Sequence, residues 1–191
     1  MMDRRTMACR PTQYRAAEEN GELYIEGYFA VFNSVYEIAP GLTESIAPGA
    51  FADTLGGDIR ALTNHDTTLV LGRTKAGTLE LREDGHGLWG RVRINREDGD
   101  AMNLYHRVQR GDVDQCSFGF AVLEENVEIR EDGSAHFNLE KIALYEVTVA
   151  TFPAYEETAV AARSAQAEQI KRRAGQAWKE TMKNRLKGSA T

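Results

Sequence analysis

Strict alternation of apolar and polar residues over positions 22–32 is the feature that most constrains the fold of this chain. The two faces read Leu23, Ile25, Phe29 and Val31 against Tyr24, Glu26 and Tyr28. A repeat of two residues places successive side chains on opposite faces of an extended backbone. The segment is therefore predicted to be a core β-strand with one buried face.

Further strands are predicted in both halves of the chain. Segments of strand character bounded by turn residues cover positions 59–64, 78–83, 88–94, 116–123 and 137–150. The second and third of these form a predicted hairpin across Asp84-Gly85-His86-Gly87, and the last two are joined through a polar turn at 130–134. Strands should therefore dominate the fold.

Three helices are predicted beside these strands. A short one follows Pro48 within residues 46–55 and ends before Gly56, and a longer one is capped by Asn95 and stops at Gly111. The third lies near the C-terminus, where apolar residues recur every three or four positions at Ile170, Ala174, Ala177, Trp178, Met182 and Leu186. This spacing is typical of a protruding amphipathic helix.

Size and composition predict one domain with two appendages. The 191 residues, 42% of them hydrophobic, suffice for one core of ordinary size. We divide the chain into an N-terminal extension (1–19), a domain (20–162) and a tail (163–191). The tail carries eight basic and two acidic residues in a chain of net charge −6. An acidic body argues against specific nucleic-acid binding, although the basic tail could contact an acidic partner.

Cofactors and export signals are not expected. The two cysteines, Cys9 and Cys116, are too few for a disulfide framework, and neither CxxC nor HExxH spacing marks a zinc site. His86, His106 and His136 form no paired ligand spacing and are interpreted as surface residues. The low cysteine count predicts a protein of the reducing cytoplasm. The charged start and the absence of an apolar run of membrane length predict that it is neither exported nor membrane-spanning.

One histidine and one serine are candidates for catalysis. His65 stands in Leu-Thr-Asn-His-Asp, about fifty residues before Ser117 in Gln-Cys-Ser-Phe-Gly-Phe. A serine hydroxyl is a weak nucleophile at neutral pH, and an imidazole that accepts its proton activates it. The two residues together predict a serine hydrolase, provided that the fold brings them together.

The residues around Ser117 are consistent with this role and leave alternatives open. On a strand, Cys116, Phe118 and Phe120 would face the core, while Ser117 and Gly119 would lie on a face of small residues. Such a face could let an extended substrate backbone approach closely. An ordinary strand serine beside a bulge at Gly119 explains the same residues. Cys116 is a stronger intrinsic nucleophile, but its phenylalanine neighbours favour core packing.

Short motifs distributed along residues 20–160 resemble those of the prohead, or capsid maturation, serine proteases of tailed bacteriophages. The family is itself similar in fold to the herpesvirus assemblins. The motifs are Gly-Tyr-Phe-Ala-Val-Phe (27–32), Ile-Ala-Pro-Gly-Ala-Phe (46–51), Asn-His-Asp (64–66) with Leu-Gly (71–72), Ser-Phe-Gly-Phe (117–120), Tyr-Glu-Val-Thr (145–148) and Phe-Pro-Ala (152–154). Their order and spacing together make the resemblance specific.

The resemblance implies an α/β (α+β) fold with an assemblin-like, closed or nearly closed β-barrel, flanking helices and the C-terminal amphipathic helix. It implies His65 as general base, Ser117 as nucleophile and Glu146 as the acid that orients His65. Glu146 also interrupts the apolar strand 142–149, where a carboxylate needs a partner to offset desolvation. The competitors for this third position are Asp66, Asp114 and His136. Thr148 replaces the serine that the family usually has after Glu-Val.

The function implied is that of a serine endopeptidase acting inside the assembling procapsid, in the cytoplasm of the bacterial host. Its expected partners are the major capsid protein or its scaffolding extension, and possible self-cleavage and self-association stay open. Two other classes remain: a non-catalytic capsid-assembly protein with the same fold, and another hydrolase such as an esterase. The GxSxG motif of many esterases is absent, because Gln115 stands two residues before Ser117.

Overall fold

The computed structural model describes residues 5–9, 15–130, 132–152, 163–170 and 172. Over these residues the chain forms eleven strands and two α-helices. The strands are β1 (Arg5–Cys9), β2 (Arg15–Glu19), β3 (Glu22–Val31), β4 (Tyr36–Ala39), β5 (Leu42–Ile46), β6 (Arg60–Thr63), β7 (Asp66–Arg73), β8 (Leu79–Glu83), β9 (Gly87–Ile94), β10 (Gln115–Ile129) and β11 (Ala135–Ala150). The helices are α1 (Gly99–Arg110) and α2 (residues 163–170).

The strands form two sheets. The larger sheet has the order β1-β10-β11-β5-β4, with β6 paired to β11 and β7 paired to β6. The smaller sheet has the order β2-β3-β9-β8 and is antiparallel throughout. The predicted α+β class and the predominance of strands are confirmed. The long antiparallel hairpin of β10 and β11 spans the larger sheet and carries both Ser117 and Glu146.

A single large apolar cluster joins the two sheets and α1. It includes the alternating face of β3, represented by Ile25 and Phe29, and the faces of β10 and β11. Phe51 packs edge-on against Phe118, with ring centroids 5.7 Å apart. Burying each such side chain stabilises the fold by about 1.5–3 kcal/mol, so this cluster fixes the position of β10, the strand that carries Ser117.

The helix predicted within residues 46–55 is absent, and consecutive turns take its place. The backbone N–H groups of Ala50, Ala52 and Thr54 donate to carbonyls three residues earlier, at 2.9–3.2 Å. Gly49 has φ +89°, a left-handed conformation that a right-handed helix cannot continue. The turn geometry at Gly49 therefore prevails over the helix signals at Pro48 and Gly56.

Helix α1 forms as predicted but begins later. Its N-cap is Asp98, whose carboxylate accepts hydrogen bonds from the backbone N–H groups of Asp100 and Ala101. Asn95, the predicted cap, instead accepts the N–H of Glu97 in the preceding turn. Gly111 ends the helix in a left-handed conformation, as predicted.

The described part of the predicted C-terminal helix is α2. Its first residue, Arg163, is 1% exposed and forms ion pairs with Glu44 and Glu125 while stacking on Phe137 at 4.3 Å. The apolar positions predicted from Ala174 onward lie outside the described residues. Among the helices that are described, no segment has both the length and the apolar character needed to cross a membrane.

Candidate active site

His65 lies in the tight turn that connects β6 to β7. Thr63 and Asp66 are paired across the hairpin, so that Asn64 and His65 alone form its loop. Their φ angles are +50° and +59°, the left-handed values that a two-residue type I′ turn requires at both positions. Asparagine and histidine tolerate this conformation better than most other residues do. The turn therefore fixes the direction in which the imidazole projects.

Asn64 ties this turn to the end of β11. Its backbone N–H donates to the carbonyl of Val149, and its side-chain Oδ1 accepts the N–H of Thr151, both at 2.9 Å. Strand β6 also runs parallel to β11 over Glu146–Val149. The loop that bears His65 is thus held against the strand that bears Glu146.

Glu146 and His65 are joined by a short hydrogen bond. The distance between His65 Nδ1 and Glu146 Oε1 is 2.6 Å, and both side chains are mostly buried. An ionised carboxylate can only accept, so the proton of the bond belongs to Nδ1 and the lone pair of the neutral ring lies on Nε2. Nε2 is buried and has no hydrogen-bond partner among the described residues. In this tautomer the unprotonated Nε2 can accept a proton.

Thr148 holds the other oxygen of the same carboxylate. Its Oγ1 donates to Glu146 Oε2 at 2.5 Å, and the threonine is fully buried. Residues two apart on a strand share a face, which is why the hydroxyl reaches the carboxylate. Glu146 thus accepts one bond at each oxygen, which sets its orientation and offsets its desolvation.

Gly119 provides the space in which the Glu146 carboxylate lies. The two residues are directly paired between β10 and β11. A Cβ atom at position 119 would approach Glu146 Oε1 to 2.5 Å, far inside van der Waals contact. The face of small residues that was predicted beside Ser117 is therefore occupied at Gly119 by the Glu146 carboxylate. The alternative of a bulge is also met, because the register shifts between Gly119 and Phe120.

Ser117 lies on the same face of the hairpin as Glu146. It is paired with Thr148, so it occupies the position diagonal to Glu146 across the two strands. Diagonal residues of an antiparallel pair are about 7–8 Å apart, a gap of the order that an imidazole with one bond at each nitrogen can bridge. Ser117 is fully buried, and its Oγ donates a hydrogen bond of 2.7 Å to the carbonyl of Met7 in β1.

The competing residues lie elsewhere or are engaged otherwise. The Asp66 carboxylate accepts from the backbone and hydroxyl of Thr68, and these bonds lower its pKa. His136 is held between the hydroxyls of Thr43 and Ser45, both at 2.9 Å, and Asp114 is exposed. The structure thus brings together His65 and Glu146, and neither Asp66 nor His136 takes the carboxylate's place.

Cys116 is part of the core. It is fully buried, and its thiol lies 3.3 Å from the carbonyl of Tyr28. Within the described residues, no group of three or more histidine, cysteine, aspartate or glutamate side chains is placed to hold a metal ion.

An ion pair closes the base of the hairpin that carries His65. Asp58, just before β6, accepts two hydrogen bonds of 2.6 Å from the guanidinium of Arg73 at the end of β7. These bonds lower the pKa of Asp58 to about 2. The carboxylate is thus ionised at neutral pH and clamps the two ends of the hairpin together.

Three contributors to this site escaped the sequence prediction. The left-handed turn at Asn64 was detectable only as an asparagine beside the histidine, which is a weak turn signal. Thr148 could have been identified from the strand periodicity, because it follows Glu146 by two positions and therefore lies on the same face of the strand. The contact with Met7 had no signal at all, because the two residues are 110 positions apart.

Known proteins resemble this chain in sequence and in fold. The sequence profile of the caudovirus prohead serine protease family matches residues 10–173. The prohead protease of Enterobacteria phage HK97 is 30% identical over 162 residues, covering 83% of this chain and 68% of the phage protein. The solved structure of the bacteriophage T4 capsid assembly protease is similar in fold, with a TM-score of 0.51 and 15% identity over 79% of this chain and 99% of that one. The chain therefore belongs to the caudovirus prohead serine protease family and is a capsid maturation protease.

Proposed function

We propose that this protein is a serine endopeptidase in which Ser117 is the nucleophile, His65 the general base and Glu146 the residue that orients the base. The observation that carries the proposal is the 2.6 Å bond between His65 Nδ1 and the Glu146 carboxylate, which lies on the same face of the hairpin as Ser117. His65 Nε2 is buried and has no hydrogen-bond partner among the described residues. In the proposed relay, the existing bond between Glu146 and His65 is extended when Ser117 Oγ turns from the Met7 carbonyl and donates to His65 Nε2.

In the first half of the reaction, His65 Nε2 accepts the hydroxyl proton of Ser117 while Oγ attacks the carbonyl carbon of the scissile peptide bond. The imidazolium that forms is stabilised by the negative charge of Glu146. His65 then donates the proton to the departing amine. The carbon–nitrogen bond breaks and an acyl-enzyme ester on Ser117 remains.

In the second half, water replaces the amine. His65 accepts a proton from the water, whose oxygen attacks the ester carbon, and the same proton returns to Ser117 Oγ as the acyl group leaves. These steps use only side chains of this chain and one water molecule. Thr148 keeps Glu146 in place in both halves through its hydroxyl.

The proposed substrate is the major capsid protein or its scaffolding extension, cut inside the procapsid within the host cytoplasm, with self-cleavage as a further substrate. Cleavage of a peptide bond that does not re-form makes maturation irreversible. We also propose the division into residues 1–19, 20–162 and 163–191, in which the N-terminal extension adds β1 and β2 to the two sheets of the domain. The basic tail is proposed as an anchor to the scaffold or shell. A variant truncated before Ala165 that still enters procapsids normally would contradict the anchor.

The test combines an active-site probe with a substrate assay. We expect a fluorophosphonate to label the wild type at Ser117 and to leave Ser117→Ala unlabelled, with Cys116→Ala labelled as the matched neighbour control. His65→Ala should lower the rate of labelling strongly. Glu146→Gln should lower it too, because a neutral amide stabilises the imidazolium less.

Co-expression with the capsid protein distinguishes the function classes. We expect the mass spectrum of the capsid protein to show discrete truncated products with the wild type and the intact mass with Ser117→Ala. Labelling without any peptide product, together with hydrolysis of simple esters, would favour an esterase. Normal assembly without labelling or cleavage would favour a non-catalytic assembly protein.

A further inference from the structure

Arg60 on β6 lies beside Glu146 on the catalytic face of the larger sheet. The two residues are paired in register between the parallel strands β6 and β11. Directly paired residues of neighbouring strands project from the same face of a sheet. Ile59 and Ala61, on either side of Arg60, are buried in the main apolar cluster, so the arginine points away from the core. A cationic side chain therefore shares the face of the Glu146 carboxylate.

An arginine at this position is a competitor of His65. Neighbouring strands lie about 4.7–4.9 Å apart, a spacing that the arginine side chain is long enough to span. A guanidinium always carries a charge in proteins and can bond a carboxylate through two parallel N–H groups, whereas a neutral imidazole offers one N–H. An unrestrained Arg60 would therefore compete with His65 for Glu146.

In the structure, Arg60 bonds Asp58 instead. Its Nη1 donates to the backbone carbonyl of Asp58 at 3.3 Å, and its Nη2 donates to Asp58 Oδ2 at 3.4 Å. Arg73 donates two shorter bonds of 2.6 Å to the same carboxylate. Asp58 thus holds two guanidinium groups, and the one that it holds more weakly is the one opposite Glu146.

The charge of Asp58 is what retains Arg60. The bonds from Arg73 lower the pKa of Asp58 to about 2, so the carboxylate is ionised at neutral pH. The Glu146 side chain is 14% exposed and that of Asp58 is 27% exposed. Charges attract each other more strongly where less water surrounds them. Without the charge of Asp58, the guanidinium of Arg60 would therefore be drawn to Glu146.

We propose that Asp58 is a positioning residue, which holds the guanidinium of Arg60 at the base of the hairpin and thereby leaves the Glu146 carboxylate to His65. The inference rests on Glu146 orienting His65, as proposed above. Loss of the Asp58 charge should let Arg60 take the carboxylate from His65. Loss of Arg60 in addition should return the carboxylate to His65.

A pair of substitutions tests this order of events. Asp58→Asn removes the charge and keeps the shape of the side chain. If Arg60 then occupies Glu146 in about nine molecules of ten, fluorophosphonate should label Ser117 about tenfold more slowly. The double variant Asp58→Asn/Arg60→Gln lacks the competitor and should label within about twofold of the wild type. A slow double variant, or Asp58→Asn with the wild-type rate, would overturn the proposal.

Arg73→Gln is the matched control for loss of the hairpin clamp. It removes the same two bonds of 2.6 Å as Asp58→Asn but leaves the Asp58 carboxylate to Arg60. Urea titrations should show a similar fall in the free energy of unfolding for both variants, whereas only Asp58→Asn should label slowly. Equally slow labelling of Arg73→Gln would show that the site needs the clamp and not the hold on Arg60, and would overturn the proposal.

Proton NMR reads the bond between His65 and Glu146 without using catalysis. The proton of a short imidazole–carboxylate bond resonates well downfield of the backbone amide protons. The resonance should be present in the wild type and in Arg73→Gln, absent from His65→Ala, weaker by about tenfold in Asp58→Asn and restored in the double variant.

The two readouts separate this inference from the proposed function. A downfield resonance of unchanged intensity in Asp58→Asn would overturn the hold on Arg60. Loss of the resonance in Asp58→Asn and its return in the double variant, with no change in the labelling of Ser117, would support the hold on Arg60. The same result would refute the role of Glu146 in the reaction.

Discussion

Gly119→Ala should disable the enzyme by moving a carboxylate on the neighbouring strand. The added Cβ would lie 2.5 Å from Glu146 Oε1 and 3.1 Å from its Cδ and Cγ atoms, whereas ordinary contact begins at 3.4 Å. The carboxylate is bonded on both sides, to His65 and to Thr148, so it cannot retreat without breaking one of these bonds.

The size of the effect follows from that displacement. A shift of nearly 1 Å in a catalytic constellation lowers the rate by about a hundredfold, and overpacking a buried site costs about 1–3 kcal/mol of stability. We therefore expect labelling by fluorophosphonate, and cleavage of co-expressed capsid protein, to fall by about a hundredfold while the protein remains folded.

The assay compares labelling rates and urea unfolding of Gly119→Ala with those of Gly99→Ala. At Gly99 an added Cβ meets no atom within 4 Å, so the control should keep the wild-type rate. A Gly119→Ala protein that is folded and labels within about twofold of the wild type would refute the view that this glycine makes room for the Glu146 carboxylate.

Three further predictions concern hydrogen bonds and ion pairs of the site, of the His65 hairpin and of α2. Thr148→Val removes a hydrogen bond to the Glu146 carboxylate worth about 1.5–3 kcal/mol, so it should slow labelling of Ser117 by about tenfold or more. Thr148→Ser keeps the hydroxyl and should label at the wild-type rate. A valine variant that labels at the wild-type rate would contradict the positioning role of Thr148. Asp58→Asn should lower the free energy of unfolding at neutral pH. Because the Arg73 contact lowers the pKa of Asp58 to about 2, its stabilisation is lost as the pH falls from about 4 through 2, and the difference between wild type and variant in urea titrations should shrink over that range. A difference that does not change with pH would argue against the ion pair. Arg163→Met leaves the buried Glu44 carboxylate without its ion pair and should lower the free energy of unfolding by about 3–5 kcal/mol. An unchanged free energy of unfolding would show that α2 does not depend on this contact.

The strands were predictable because their signals are local. The alternation in 22–32 and the hairpin of β8 and β9 depend on neighbouring residues, and the structure reproduces them. The errors occurred where local signals compete. A left-handed Gly49 converts the helix predicted at 46–55 into turns, and Asp98 caps α1 in place of Asn95.

The parts of the site were predictable to different degrees. His65 and Ser117 stood out because of the chemistry of their side chains and the motifs around them. The residue that contacts His65 could only be ranked, because Glu146 is 81 positions away and Asp66 is adjacent in sequence. The hairpin turn decides between them by directing the imidazole towards β11 and the Asp66 carboxylate towards Thr68.

The sequence alone thus determined the strand-rich class, the candidate base and nucleophile, and the resemblance to a family of phage proteases. These properties follow from residue type and short-range spacing, which any extended chain retains. Only the tertiary structure decided that Glu146 accepts a hydrogen bond from His65 Nδ1 and that the Met7 carbonyl accepts one from Ser117 Oγ. Both contacts depend on strand pairing and register across 81 and 110 residues, and a shift of one residue would turn either side chain to the opposite face.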